Sequence, residues 1–104
     1  MQTLEIGQIK DSILQLLPDA GIVLFGSRAR GEATINSDVD LLIIVDKEFN
    51  GNEKLNLEKT IRRELTAQYK LAFDIIVQSK KVAAQKKKLL GHIVYYAMKE
   101  GVLL

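Results

Sequence analysis

The sequence predicts an α/β (α+β) fold in which a small sheet is flanked by helices. Three short apolar runs typical of buried strands alternate with segments whose apolar residues recur at helical spacing. Of the 104 residues, 47% are hydrophobic and 27% are charged, a balance typical of a folded globular protein. We therefore expect a single domain over residues 1–104, since no linker or internal repeat divides the chain.

The first predicted element is an amphipathic helix that ends before Pro18, because proline lacks the backbone N–H and disfavours helix at the preceding residue. An apolar run at Gly21–Phe25 then predicts a buried strand. Gly26 and Ser27 break this strand, and we expect a short helical segment over Arg28–Ala33. The apolar residues that place the first helix are Leu4, Ile9, Ile13, Leu16 and Leu17.

The middle of the chain predicts a second buried strand and a long helix. Asn36 and Ser37 favour a turn, after which the apolar run Val39–Val45 predicts the strand. A polar loop over Asp46–Asn52 follows. Apolar residues at helical spacing then predict a helix over Glu53–Tyr69.

The last third of the chain predicts a third strand at Leu71–Val77 and a single helix from about Lys80 onward. Gly101 is well placed to cap the end of this helix. The predicted order is therefore α-β-α-β-α-β-α. The apolar residues on or near one face of the last helix are Val82, Leu89, Leu90, Ile93, Val94 and Ala97.

Composition excludes several kinds of site. The chain has no cysteine, which excludes disulfides and thiolate metal sites, and its one histidine, His92, cannot alone form a multi-histidine zinc site. The longest apolar run, Leu41–Val45, is far shorter than the roughly 20 residues that span a bilayer. We therefore expect no membrane segment and a cytoplasmic location.

The net charge of +2 is too small to argue for a nucleic-acid partner. Basic residues are nevertheless concentrated late in the chain. A solvated helix face is the plain interpretation of this cluster, and phosphate or RNA contact is the alternative. The clustered residues are Lys80, Lys81, Lys86, Lys87 and Lys88.

Two aspartates stand at the start of the second predicted strand. Asp38 and Asp40 are two residues apart, so their side chains point to the same face of an extended chain. Like charges this close raise each other's proton affinity unless a positive charge lies between them. A local interpretation remains open, in which Asp38 caps the turn and Asp40 is an edge charge, but it explains the pair less well than either residue alone.

Asp74 repeats the pattern inside the third apolar run. An unpaired buried charge there would cost several kcal/mol, although an edge charge that prevents aggregation is the alternative. If the third strand lies beside the second, Asp74 shares a face with Asp38 and Asp40. Three carboxylates without cysteine or a histidine pair favour a hard cation, Mg²⁺ or Mn²⁺, with nucleotide phosphates as co-ligands.

A phosphate-binding turn is predicted directly after the first strand. Gly26 permits close backbone approach, and the free N–H groups and the Ser27 hydroxyl can donate to phosphate oxygens. Arg28 and Arg30 follow and can clamp an anionic substrate. An isolated Gly-Ser is more often an ordinary turn, and the Gly-x-x-x-x-Gly-Lys pattern of a P-loop is absent. Its position before the aspartates gives this turn its significance.

These residues resemble a known family. Gly26-Ser27, ten intervening residues and Asp38-Val39-Asp40 resemble the Gly-Ser…Asp-x-Asp signature of the DNA polymerase beta-like nucleotidyltransferase superfamily. Residues 25–31 (FGSRARG) and 37–42 (SDVDLL) resemble its minimal nucleotidyltransferase (MNT) branch in particular. Asp74 matches the family's third carboxylate, and residues 93–102 are similar to its terminal helix. The resemblance spans nearly the whole chain.

The resemblance implies a nucleotidyltransferase fold with a small mixed sheet. It implies transfer of a nucleoside monophosphate to an acceptor hydroxyl, with ATP as the expected donor. Asp38 and Asp40 would hold two metal ions, Mg²⁺ or Mn²⁺, and Asp74 would ligate the ion nearer the acceptor. Gly26 and Ser27 would bind the triphosphate, and a weaker phosphate role extends to the arginines that follow.

In the MNT branch the usual partner is a HEPN-domain RNase toxin encoded beside the MNT protein, which acts as its antitoxin by transferring AMP to a toxin tyrosine. A chain of 104 residues has little room for an acceptor-binding domain. We therefore expect a partner or second subunit, in a hetero- or homo-oligomer, to supply the acceptor surface. The alternatives are a non-catalytic steric antitoxin, a small-molecule transferase similar to aminoglycoside-modifying enzymes, and nucleotide addition to RNA.

Overall fold

The structure, a computed structural model, describes residues 3–34 and 36–104. Helices and strands follow one another in the order α-β-β-α-β-α-α-β. The elements are α1 (Thr3–Leu16), β1 (Gly21–Phe25), β2 (Val39–Val45), α2 (Gly51–Tyr69), β3 (Phe73–Ser79), α3 (Lys80–Lys86), α4 (Ile93–Glu100) and β4 (Val102–Leu103).

In the described residues, the strands form a four-stranded mixed sheet in the order β3-β2-β1-β4. β1 pairs antiparallel with β2 and with the short β4, whereas β2 pairs parallel with β3 through the α2 crossover. The register sets Asp40 of β2 opposite Phe25 on one side and opposite Asp74 on the other. The predicted class, a small mixed sheet flanked by helices, is confirmed.

The two faces of the sheet are covered unequally, and each strand contributes side chains to both because they alternate along it. Leu41 and Ile43 of β2 point to the face that α1 and α2 cover, where the larger part of the core lies. Leu42 points to the opposite face, where it packs with Ala83 of α3 and Val94 of α4. Asp40 lies two residues from Leu42 and therefore faces this thinner layer.

α2 begins at a capping box. The Asn50 side chain accepts a hydrogen bond from the Glu53 N–H at 2.9 Å, and the Glu53 carboxylate accepts one from the Asn50 N–H at 3.0 Å. Further along, Glu58 accepts a hydrogen bond from the Val77 N–H at 2.8 Å. This side chain covers part of the outer edge of β3, an edge that would otherwise offer its N–H groups to another strand.

The predicted helix over Arg28–Ala33 is wrong. The segment is a series of turns in which Gly26 and Gly31 both have φ of +75°, outside the helical region. The Ala29 and Arg30 N–H groups both donate to the Gly26 carbonyl, which closes one turn that does not continue. Glycine at both ends of so short a segment prevents the helix from propagating.

The single long C-terminal helix is also wrong. The chain forms α3 and α4, separated by turns around Gly91 at φ +91°, and then the unpredicted strand β4. Leu89, Leu90 and Ile93 are consequently exposed instead of lining a buried face. Among the described helices none has both the length and the apolarity needed to cross a membrane.

Gly101 caps α4, as predicted, but for a different reason from the usual one. Its N–H donates to the Ala97 carbonyl at 2.8 Å, and its φ of −78° is open to any residue. A Cβ at this position would overlap the Ala97 carbonyl and the Val23 side chain. Close contact between α4 and β1, rather than left-handed backbone, therefore requires glycine here.

The apolar face of α1 is confirmed in part. Ile9 and Ile13 are fully buried, and Leu17 packs against the same core. Leu16 is exposed, because Leu17 takes the position one turn after Ile13 and Leu16 lies about 100° away from it on the helix. The side chain of Leu4 lies outside the described residues.

Candidate active site

The carboxylates of Asp40 and Asp74 meet on the thinner face of the sheet. These residues are register partners on neighbouring parallel strands, which lie about 4.8 Å apart. The two carboxyl groups are close enough to hydrogen-bond when one of them is protonated. The sequence placed Asp74 on the same face as Asp40 only if the third strand lies beside the second, and in the fold β3 does lie beside β2.

The pKa of Asp40 is shifted by burial and by the carboxylates around it. Its pKa is raised from 3.8 to about 6, first by burial and then by the hydrogen bond and the negative charge of Asp74. The charge of Asp38 also raises this pKa, whereas the nearby Arg30 lowers it. The site therefore holds excess negative charge, which a cation would relieve.

Asp38 is exposed, one residue before β2 begins. It influences Asp40 through its charge. Within the described part of the chain, no three His, Cys, Asp or Glu side chains are already gathered closely enough to hold a metal ion. Asp40 and Asp74 thus form the preassembled pair, and Asp38 stands beside them.

An open pocket of about 340 Å³ contains both of the paired carboxylates. A volume of this size is at the lower end of the range for small-molecule sites. Apolar walls come from Phe25, Ile76 and Ile93, and Arg62 of α2 lies at the rim. Arg62 had no signal in the sequence, because it is one of several exposed charged residues of a long helix and only the packing of α2 against β3 brings it here.

Gly26 brings the backbone of the first turn against Asp40. It follows directly on Phe25, the register partner of Asp40, and has a φ of +75°. A Cβ on this residue would overlap the Asp40 carboxylate. Ser27, which follows, is half-buried. The predicted phosphate-binding turn therefore packs against the Asp40 carboxylate.

Gly26→Ala is expected to remove activity and to destabilise the protein by roughly 1–3 kcal/mol, since it adds backbone strain and displaces Asp40. Gly31→Ala is the matched control, because Gly31 has the same φ of +75° but open space where its Cβ would be. Thermal unfolding and transfer assays on both variants test this. Full activity of Gly26→Ala would show that Asp40 need not hold its observed position.

Arg30 lies near Asp40 and forms ion pairs with two glutamates. Its guanidinium forms ion pairs with Glu32 at 3.2 Å and with Glu100, the last residue of α4, at 3.3 Å. These exposed ion pairs contribute little to stability. They do hold the positive charge of Arg30 near Asp40, within reach of an anionic ligand.

Arg28 is directed elsewhere. Its Nε and Nη2 donate to the Ser37 carbonyl at 3.2 and 2.6 Å, joining the turn after Gly26 to the residue before Asp38. It lines a separate cavity with Ile6 and Leu24, which belong to the opposite face of the sheet. The structure thus places Gly26 against Asp40 and the charge of Arg30 near it, whereas the Arg28 guanidinium is engaged by the Ser37 carbonyl.

Comparison with known proteins identifies the family of the chain. The family model described as "Nucleotidyltransferase domain" matches residues 6–96. A relative from Methanocaldococcus jannaschii, named "Putative protein adenylyltransferase MJ0141", is 35% identical over 80 residues, which cover 74% of this chain and 76% of the relative.

Two solved structures share the fold. One is a crystal structure of a toxin-antitoxin with AMP-PNP, with a TM-score of 0.55 and 19% identity over 89% of this chain and 69% of the other. The second is a mutant of the toxin-antitoxin MntA-HpeT, with a TM-score of 0.56 and 17% identity over 100% of this chain and 72% of the other. The resemblance carried by the Gly-Ser and Asp-x-Asp residues is confirmed, and this chain belongs to the nucleotidyltransferase domain family and is a nucleotidyltransferase.

Proposed function

We propose that this protein transfers AMP from ATP to a hydroxyl group of another protein. The acceptor is a tyrosine of a HEPN-domain RNase toxin, which the chain neutralises as its antitoxin in the cytoplasm. The observation that carries the proposal is the carboxylate pair Asp40–Asp74 in one pocket, with the Gly26 backbone packed against Asp40. The relative named as an adenylyltransferase and the toxin-antitoxin structures support the nucleotide and the class of partner.

The donor set fits Mg²⁺, with Mn²⁺ as a substitute. Asp38, Asp40 and Asp74 offer only carboxylate oxygens, the ligands that hard cations prefer. Burial and the neighbouring carboxylates raise the pKa of Asp40, and a bound cation would offset this excess of negative charge. When bound, a pair of such ions supplies charge stabilisation at the phosphate oxygens and lowers the pKa of the acceptor hydroxyl.

The protein's own residues bind the triphosphate and accept the proton of the acceptor hydroxyl. The backbone at Gly26 and Ser27 binds the triphosphate through N–H groups, and Arg30 contributes positive charge to the same anion. Asp74 is exposed on β3, an edge strand of the sheet, so an acceptor hydroxyl reaches it from solvent. Asp74 receives the proton of that hydroxyl, whose oxygen bonds to the α-phosphorus as the bond to the pyrophosphate oxygen breaks.

Arg28 has a positioning role in this proposal. Because its donors converge on the Ser37 carbonyl, it holds the turn that precedes Asp38 rather than the phosphates. Arg30 is the better candidate for the phosphates, since it already lies near Asp40. Binding of the triphosphate would then compete with Glu32 and Glu100 for this guanidinium.

The test is to incubate the purified protein with Mg²⁺, α-labelled ATP and the protein encoded by the adjacent gene. Intact mass spectrometry of that protein should show one or more added AMP groups, and peptide mapping should place them on tyrosine. The double variant Asp38→Asn/Asp40→Asn should add none. A stable complex without added AMP would favour a steric antitoxin. Absence of both a complex and modification would favour a small-molecule acceptor.

A further inference from the structure

A row of exposed apolar side chains lies on α4 and on the turn before it. We name it the α4 ridge and define it as Leu89, Leu90, Ile93 and Tyr96. Their exposed fractions range from 42% for Tyr96 to 79% for Leu90. Ile93 and Tyr96 are three residues apart on a helix and therefore lie on one face. Clustered apolar exposure of this kind marks interaction sites on soluble domains.

The α4 ridge is continuous with the active-site pocket. Ile93 lines that pocket together with Asp40 and Asp74. A protein that presents a hydroxyl group to Asp74 at this pocket would therefore bring its surface close to Ile93. Residues next to Ile93 on α4 and on the preceding turn are covered in the same approach.

Basic residues lie next to this surface in the chain and across the pocket that Ile93 lines. Lys86, Lys87 and Lys88 directly precede the ridge, and within residues 3–34 and 36–104 they take part in no salt bridge. Across the pocket, Arg62 lines both the active site and a shallow concavity on α2 that includes Lys59 and Arg63. A partner that covers the ridge therefore gains from carboxylates at its own rim.

We propose that the α4 ridge is the docking surface for the acceptor protein, whose matching surface has apolar side chains bordered by Asp and Glu. This inference rests on the proposed function, because it takes the acceptor to be a protein. Burial of the ridge supplies affinity, and the lysines orient the encounter and make its rate depend on salt. Of the clustered lysines, Lys80 and Lys81 form ion pairs with Asp46 and Glu48, and the other three are assigned to the protein partner by this inference.

The test compares Leu89→Ser/Leu90→Ser with the control Leu16→Ser. Leu16 is 49% exposed, against 48% for Leu89, but belongs to α1 on the opposite face of the sheet. With the protein encoded by the adjacent gene as acceptor, the ridge variant should raise the KM for that protein about tenfold or more, the effect of losing well-buried contacts. The affinity for ATP with Mg²⁺ should not change, and Leu16→Ser should match the unmodified protein in both.

The outcomes separate this inference from the proposed function. An unchanged KM in the ridge variant would overturn the docking surface and leave the transfer activity standing. If the unmodified chain transfers no AMP, binding between the two proteins still tests the docking surface. Loss of the complex in Leu89→Ser/Leu90→Ser would support the docking surface. A complex that persists in this variant would overturn it. A single-stranded RNA oligonucleotide that binds more tightly than the protein encoded by the adjacent gene would assign the surface to RNA, provided that Lys86→Glu/Lys88→Glu abolishes this binding. That result would also overturn the docking surface.

Discussion

Replacement of Asp40 by asparagine is expected to abolish AMP transfer without destabilising the fold. Asparagine cannot supply the negative charge that holds a divalent cation, so the variant loses the stabilisation that the cation gives to the transition state. A loss of several kcal/mol lowers the rate by about three orders of magnitude. The same change removes a charge that burial and Asp74 already disfavour. The thermal midpoint of the metal-free variant at neutral pH should therefore equal or exceed that of the unmodified protein. Transfer rates and thermal unfolding, measured on the same sample, check both parts.

Asp11→Asn is the matched control for this substitution, because Asp11 is an exposed residue of α1 on the opposite side of the sheet. It should leave the transfer rate unchanged. A clear loss of stability in Asp40→Asn would contradict the crowding of charge at this site. Retained transfer by that variant would contradict the assignment of Asp40 to the chemistry.

The metal-free protein is expected to lose a contribution to its stability as the pH rises from about 4 to about 6. The pKa of Asp40 is about 6 in the folded chain against 3.8 as the ordinary value, so the folded state binds the proton more tightly. This contribution is fully present below the lower value and is lost as the pH rises through the higher one. Asp40→Asn keeps an uncharged side chain throughout and should lack this part of the pH dependence.

Chemical denaturation of both proteins at several pH values checks this expectation through the difference between their free energies of unfolding. Mg²⁺ should bind more tightly at pH 7 than at pH 5, because the proton on Asp40 competes with the cation. Identical pH profiles for the two proteins would contradict the raised pKa. A Mg²⁺ affinity that does not change with pH would contradict the role of Asp40 as a ligand.

The strands β1, β2 and β3 and the site motif could be predicted from the sequence because their signals are local. The run Val39–Val45 is apolar throughout, since helices cover both faces of β2, and it forms the strand with the predicted bounds. Asp40 and Asp74 attracted attention because a carboxylate inside such a run is costly without a partner. The α2 helix was placed to within two residues of its start at Gly51, and its capping box gives the reason for that start.

The C-terminal region was harder to predict because its outcome depends on packing. Apolar residues at helical spacing after Lys80 suggested one buried face, yet Leu89 and Leu90 are exposed and only part of α4 reaches the sheet. Gly91 breaks the helix with its positive φ, and β4 forms only because β1 offers an open edge. Neither the break at Gly91 nor the formation of β4 can be predicted from the spacing of apolar residues alone.

Arg28 and Arg30 show the same limit at the scale of one side chain. They are two residues apart in one motif and gave the same expectation, but the turns after Gly26 direct Arg28 to the Ser37 carbonyl and Arg30 toward Asp40. The sequence by itself determined the fold class and the family and singled out the acidic residues that we propose for the site, because hydrophobic pattern and motif chemistry are properties of short segments. The tertiary structure alone decided which carboxylates meet, which arginine accompanies them and which apolar side chains remain exposed, because those depend on strand register and on helices packed from distant parts of the chain.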